Sequence, residues 1–363
     1  MNIRGSWRVR GVALVWMALP FFGLVSCQDR GLKPDSLGAV AEILLDCRPE
    51  EWQGESGRRL RQVLSAEQYG LPQPEPWFRL LPTQDLGANK FKDRHRFILR
   101  LRSESQSSLP DELQAASKKA LALQGIYVGV LHHPRAFPQA EVWLVYRDTA
   151  TLQVYLNNQG LSLLQQCLRL DQRLILDRLA RHHRSDTLIR LIKDSVGVQL
   201  KVLPGDYRLR ALRQNWAWLS RDIPNGTMNW CLWRSVAAAQ SPLVGLAYRD
   251  TIFRNRLPGP TAGSYYQTET LVPTQEQRGP LLPSSKMDAW VVRGLWTLKG
   301  DFMGGPFVHH SRVDGLDRIH SEVFVYCPNE TKRAWLRELE AMSLVGIDSL
   351  FWKPTPVNHD AAR

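Results

Sequence analysis

The N-terminal stretch ending in Leu24-Val25-Ser26-Cys27 limits what this chain can fold into more than any other, because it withdraws its own residues from the fold and sets where the remainder folds. Arg4, Arg8 and Arg10 precede an uncharged run from Gly11 to Ser26, and that run ends at a cysteine behind small and branched residues. The run is short for a spanning helix and its charge lies on the N-terminal flank, so it reads as an export signal of the lipoprotein kind. Cleavage before Cys27 and acylation of the Cys27 thiol would hold the mature chain to a membrane by lipid. The expected organisation is a signal over residues 1–26 and a polar, turn-rich tether over 27–38, carrying Gln28-Asp29-Arg30 and Pro34.

Roughly 337 residues then remain of 363, enough to bury a substantial core. Hydrophobic and charged fractions of 44% and 23% are those of a globular chain. The formal charge of +12 falls to about +9 without the three signal arginines. The basic residues are scattered, with no run of five, which favours a generally basic surface over a nucleic-acid site. Cys47, Cys167, Cys231 and Cys327 are far apart with no C-x-x-C, so zinc-ribbon and thioredoxin patterns fail on spacing. An exported compartment permits bridges among the four, while their apolar surroundings suit buried free thiols equally.

Along the chain, Val40 to Asp46 reads as a strand or helix start, and Glu51 to Gln68 as a helix stopped by Gly70. Pro72, Pro74 and Pro76 impose an extended path into a strand at Phe78 to Leu81. His95 to Leu101 alternates apolar residues with Arg96 and Arg100, as a half-exposed strand does. A helix over Asp111 to Gln124 precedes strands near Ile126 to Leu131, Glu141 to Tyr146 and Leu152 to Leu156, the last turned at Asn157 to Gly160. Leu161 to Arg181 is the longest helical stretch, and Arg181-His182-His183-Arg184 suggests a boundary between halves at 39–184 and 185–351.

The second half opens with a helix over Asp186 to Val196, followed by strands near Val198 to Val202 and Tyr207 to Leu212. Trp216 to Arg221 and Thr227 to Arg234 form a hairpin through Asn225-Gly226. A helix over Leu243 to Arg254 precedes strands at Tyr265 to Thr270, Trp290 to Leu298, Phe307 to Val313 and Glu322 to Tyr326. A last helix starts at Asn329, and residues 352–363 form a disordered tail. The fold class is thus α+β, with mainly antiparallel sheets and flanking helices. Phe78-Arg79-Leu80 and Tyr207-Arg208-Leu209, each after a glycine and a proline-marked turn, suggest two related halves.

Several segments resemble one family. Leu71-Pro72-Gln73-Pro74-Glu75-Pro76, Arg249-Asp250, Pro258-Gly259-Pro260 with Gly263-Ser264-Tyr265, Gly294-Leu295-Trp296 and Gly300 to Val308, and Lys332-Arg333 to Ala341 together resemble an uncharacterised lipoprotein family of Bacteroidota, domain of unknown function 4837. The resemblance covers nearly all of the mature chain and implies residence in the cell envelope; it implies no activity, cofactor or site residue. Tyr266 stands where the family pattern has methionine. Gln28-Asp29-Arg30 lacks the acidic cluster that resembles surface-export signals in that phylum, so a periplasm-facing anchor is expected. Asp, then Ser or Thr, then an apolar residue recurs through the chain and looks like the O-glycosylation pattern of exported proteins there. Ser36, Thr187 and Ser349 are its candidates, with helix capping as the plain alternative.

Gly304-Gly305-Pro306 is the sharpest local feature, a backbone free to form an anion nest or a tight turn between core strands. Asp301, His310 and Tyr265 around it are the candidate catalytic groups, and Gly304, Gly305, Arg249, Asp250 and Trp296 the candidate ligand-binding ones. The His-His pairs at His132, His182 and His309 give one metal ligand each at best, since neighbours on a strand face opposite ways; solvated surface histidines, no metal and no cofactor are expected. G-x-S-x-G, Walker and G-x-G-x-x-G motifs are absent. Trp216, Trp218, Trp230 and Trp233 surround one hairpin, where one set should pack inward and the other be left for contact. The expected function is a non-enzymatic, lipid-anchored envelope protein that binds a partner protein or an anionic glycan through its second half. An envelope hydrolase acting on cell-wall or glycan material is the alternative.

Overall fold

The computed structural model describes residues 33–87, 91–106, 108–236, 242–280, 288–348 and 352. The expected signal, Cys27 and most of the tether lie outside the described residues, as do Ser349 and the tail beyond 352.

The first sheet is built on apolar runs buried on both faces. Its strands are β1 (Glu42–Asp46), β2 (Arg79–Pro82), β3 (Phe97–Ser103), β4 (Ile126–His132) and β5 (Ala140–Tyr146), in the order β2-β1-β3-β5-β4. All neighbours are parallel except β4 with β5. The fold is α+β and mainly antiparallel as expected, and this sheet is its mixed part: helices α1 (Pro49–Gln53) and α2 (Glu55–Leu64) carry the chain from β1 to β2, a crossover that makes parallel neighbours. With α3 (Asp111–Gln124) and a long helix flanking the sheet, β3 is buried rather than half-exposed. Arg96 and Arg100 lie inside because carboxylates meet them there: Asp171 for Arg96, and Glu141 at 2.9 Å for Arg100.

That long helix, α4 (Thr149–Leu179), replaces the expected strand at Leu152 to Leu156 and its turn. Asp148 caps it, accepting from the Thr151 backbone N–H at 2.8 Å. Gly160 marks a helix contact instead of a turn, since a Cβ there would stand 2.7 Å from Val63 Cγ2 on α2. Next come α5 (Asp186–Val196), stopped as expected by Gly197 at φ 73°, and a segment in which Val198, Leu200 and Val202 are buried without forming the expected strand.

The second sheet is antiparallel throughout. It comprises β6 (Arg208–Arg213), β7 (Trp216–Ile223), β8 (Gly226–Val236), β9 (Tyr265–Thr268), β10 (Gln275–Pro280), β11 (Asp288–Lys299), β12 (Gly304–Asp314) and β13 (Asp317–Tyr326). The order is β10-β11-β12-β13-β8-β7-β6, with β9 beside β11. Asn225, at φ 59°, makes the tight turn of the β7–β8 hairpin. Helix α6 (Pro242–Arg256) covers one face of this sheet, and α7 (Arg333–Ile347) lies across the other. Asn329, the expected start of α7, instead turns at φ 60° before it.

One apolar core joins the halves, running from Ile43 and Leu99 through Leu163 and Ile175 to Trp230, Val323 and Met342. At its centre Asp171 of α4 accepts from Arg96 and from Arg337 of α7, the latter at 3.1 Å. The expected duplication is not seen: a mixed, largely parallel sheet and an antiparallel one are different topologies.

Candidate functional site

Alternation along the second sheet sorts its polar residues between two covers. On β13, Ser321 and Val323 face α7, while His320, Glu322 and Phe324 face α6. His309 lies opposite Glu322 in the β12–β13 register and shares that face. Glu322, fully buried, accepts from Arg249 of α6, whose Nε is 3.0 Å from each carboxylate oxygen. Arg249 also donates to Asp250 at 2.7 Å and to Thr268 of β9 at 3.3 Å. Burial alone would raise the Glu322 carboxyl, but the Arg249 guanidinium outweighs it and holds the group below the usual carboxylate value.

From Glu322 a row of hydrogen bonds leads outward. His309 Nδ1 is 3.1 Å from Glu322 Oε2, His320 Nδ1 is 3.3 Å from His309 Nε2, and Ser235 Oγ is 2.9 Å from His320 Nε2. Glu322 can only accept, so the His309 ring donates to it. Burial first, then His309 and Arg318, keep His320 well below its ordinary value and hence neutral. Ser235, near the end of β8, is half-buried.

Beside this row lies a cleft of about 610 Å³ between the β6–β7 turn, β8 and α6, whose lining includes Arg213, Trp216, Trp233, Tyr248 and Arg256. Trp233 stacks on His320 at 4.7 Å and 5°. Among the described residues, the buried indole N–H groups of Trp216 and Trp233 have no acceptor. Arg213 is exposed and Arg256 half-buried, and neither is paired with a carboxylate among the described residues. The cleft therefore offers guanidinium charge and the half-buried ring of Tyr248 to an acceptor-rich ligand.

The residues singled out from sequence are placed differently. Asp301 sits at the β11–β12 turn and accepts from Thr261 Oγ1 at 2.6 Å and from Phe302 N at 2.7 Å, bonds that lower its carboxyl. Tyr265 pairs with Lys299 near that turn, and Arg254 lies 4.5 Å from its ring. His310 is buried on the α7 face with Nδ1 2.8 Å from Ser343 Oγ. Asp301 and His310 thus form no acid–base pair. The solvated reading also fails for the pair at His309, since both rings are buried, although they face opposite ways as expected.

Gly304 and Gly305 are extended residues of β12 without positive φ, so they form no nest. Glycine is needed at 305 because a Cβ would stand 2.1 Å from the Val325 carbonyl oxygen. Trp296, buried beside Gly305, packs against Tyr266 and Phe324. Arg249 and Asp250 belong to the buried ion cluster. Trp216, Trp230 and Trp233 are all buried, on both faces of the sheet, and only Trp218 of that set is half-exposed. Ser36 is half-buried and bound to the body, its N–H donating to Phe137 O at 3.1 Å; Thr187 is exposed in the first turn of α5. Cys47, Cys167, Cys231 and Cys327 are buried free thiols. Among the described residues no group of three or more His, Cys, Asp or Glu is arranged to hold a metal ion.

Sequence reasoning missed Ser235, His320 and Glu322. The two-residue spacing of His320 and Glu322 on a strand was a visible signal, but their meeting with His309 and Ser235 depends on strand register.

Residues 185–344 match the domain of unknown function DUF4837, and residues 36–171 match a second domain of unknown function, DUF8532. The resemblance traced over the whole body is thus confined to the second half, and the Leu71 to Pro76 segment falls in the other domain. No curated protein matches the chain. The chain is similar to the crystal structure of human STARD10 at 8% identity, over 45% of this chain and 81% of that one, with a TM-score of 0.20, too low to bear on fold or ligand.

Proposed function

We propose that this chain, whose residues 185–344 form a DUF4837 domain, is a lipid-anchored, periplasm-facing protein of the cell envelope that binds an anionic glycan in the cleft beside α6. The anchor rests on the basic flank, the apolar run and Cys27. No helix of the described residues is long and apolar enough to cross a membrane. The observation that carries the binding role is the convergence, in one cleft, of two guanidinium groups unpaired with any carboxylate among the described residues and the half-buried ring of Tyr248.

Each of these groups has a counterpart in an acidic sugar. Guanidinium forks receive carboxylates, and an aromatic face such as that of Tyr248 receives the apolar face of a pyranose ring. A volume of about 610 Å³ fits a few linked rings and is concave, as small-ligand sites are, where a protein partner needs a broad face.

Titration of the detergent-solubilised full chain with a uronic-acid oligosaccharide, followed by tryptophan emission, tests this role. A saturable change that weakens with salt and is absent with a neutral oligosaccharide of equal length is expected. A flat titration with the acidic oligosaccharide would reject it. Intact mass of the native protein tests the anchor separately: a diacylglyceryl increment at Cys27 is expected, and an uncut, unacylated chain would overturn it.

A further inference from the structure

We propose that the free edge of β4 is a docking site for an extended, uncharged segment of a partner protein, which adds to the first sheet as its next strand. Among the described residues β4 pairs with β5 alone and so ends that sheet. The register shows which main-chain groups are left over. Gly125 O accepts from Arg147 N–H at 2.9 Å and His133 N–H donates to Gln139 O at 2.8 Å, pairs that continue the β4–β5 register at its two ends. In an antiparallel pair successive residues turn their N–H and C=O groups alternately toward the partner and away from it. Tyr127, Gly129 and Leu131 therefore turn theirs to β5. Ile126, Val128, Val130 and His132 turn theirs outward, where among the described residues no hydrogen bond meets them.

Exposed edges invite unwanted pairing, and the other edges among the described residues are blunted against it. β2 and β9 have four residues each, and β2 begins at Arg79 and ends at Pro82. β10 carries Glu276, Arg278 and Pro280, and β6 carries Arg208, Arg210 and Arg213 with a bulge between Leu209 and Ala211. The seven residues of β4, Ile126 to His132, include no Lys, Arg, Asp, Glu or Pro. Tyr127, Val128, Val130 and Leu131 are half-buried, whereas every residue of β5 is buried. An edge this long, apolar and unguarded is one kept for pairing.

The edge is recessed between helices that cover opposite faces of the sheet. A groove of about 560 Å³ has Ile126 and Val128 at its floor, Gln124 of α3 on one wall, and Val154, Tyr155 and Asn158 of α4 on the other. Ile126 and Val128 are two of the residues with outward main-chain groups, and Val154 is an apolar side chain 58% exposed. Outward N–H and C=O groups at two-residue spacing are matched by the main chain of another strand. None of the residues lining the groove is charged, so the segment that complements it is uncharged where it seats, with apolar side chains at alternate positions against Val154 and Tyr155. β4 of a second copy would arrive between its own α3 and α4, and those helices would meet the groove walls first.

This inference goes beyond glycan binding and does not depend on it, because the glycan cleft belongs to the second sheet. The probe is a fluorophore-labelled, N-acetylated and C-amidated peptide of alternating threonine and valine with lysines at its ends, titrated by anisotropy into the folded full chain in detergent. Saturable binding is expected, and it should be lost when alternate amides of the peptide are N-methylated, which removes main-chain donors and leaves the side chains. Val128→Pro, which removes one outward N–H at an edge that tolerates proline, should weaken binding at least about tenfold. Val154→Lys, which sets a charge in the groove from an exposed helical position, should do the same with unfolding unchanged. No saturable binding, equal binding of the methylated peptide, or full affinity in folded Val154→Lys would overturn the proposal. A dimer in sedimentation of the chain alone that Val154→Lys dissociates would give the edge to a second copy and overturn it as well.

Discussion

The carboxylate of Glu75 accepts from the backbone N–H groups of Lys332, at 2.8 Å, and Arg333, at 3.1 Å, so the first turn of α7 is capped by a residue 257 positions earlier. Lys332, the N-cap position itself, has no capping side chain of its own. A helix start leaves unsatisfied N–H groups and partial positive charge, and a buried carboxylate answers both. Glu75→Ala should therefore cost about 1–2 kcal/mol, read as a lowered urea midpoint at unchanged slope. Glu75→Gln, which keeps an acceptor but no charge, should cost less. An unchanged midpoint for the alanine variant would show that the cap contributes nothing.

Asp171 is the second tie between the halves. It is fully buried, and Arg96 and Arg337 outweigh the effect of burial to keep its carboxyl below the ordinary value. Asp171→Ala strands two buried guanidinium groups and should cost about 3–5 kcal/mol in urea unfolding. The exposed pair Arg58–Glu55 provides the contrast: its removal should change stability by under about 1 kcal/mol. Equal effects at the two sites would contradict the buried network.

Stability should depend on pH through the buried rings of the second sheet. Burial, then Arg293 and His309, place His310 well below 6.5, and His320 is likewise depressed. The unfolded chain binds protons near pH 6.5 that the folded chain refuses. This contribution is intact above 6.5 and is lost as pH falls below it, at up to about 1.4 kcal/mol per pH unit for each ring. Urea midpoints at pH 7.5 and 5.5 should differ accordingly, and His310→Gln should flatten the dependence. Identical midpoints at the two pH values would rule this out.

What was legible in the sequence was set locally. The Asn225-Gly226 hairpin, the Gly197 stop and the helix over Asp111 to Gln124 depend on neighbouring residues, and all three appear where local chemistry puts them. Gly160 was read as a turn because its partner, Val63, lies far along the chain. Arg96 and Arg100 look like the wet face of a strand until Asp171 and Glu141 are brought to them. Gln275–Pro280 was missed because an edge strand so polar, ending in glycine and proline, lacks the apolar alternation that announces strands. The candidate site failed for the same reason. Asp301 and His310 are close in sequence to Gly304 and Gly305, but β12 carries His310 into the sheet interior on the α7 face.

The glycan-binding cleft is tested most directly by charge reversal of its unpaired arginines. Arg213→Glu combined with Arg256→Glu removes the carboxylate-receiving groups while leaving Trp216, Trp233 and Tyr248 in place. In a fluorescence titration with the uronic-acid oligosaccharide, affinity should fall at least about tenfold, the equivalent of roughly 1.4 kcal/mol, with unfolding unchanged. Equal affinity for wild type and the folded double variant would contradict the assignment of this cleft.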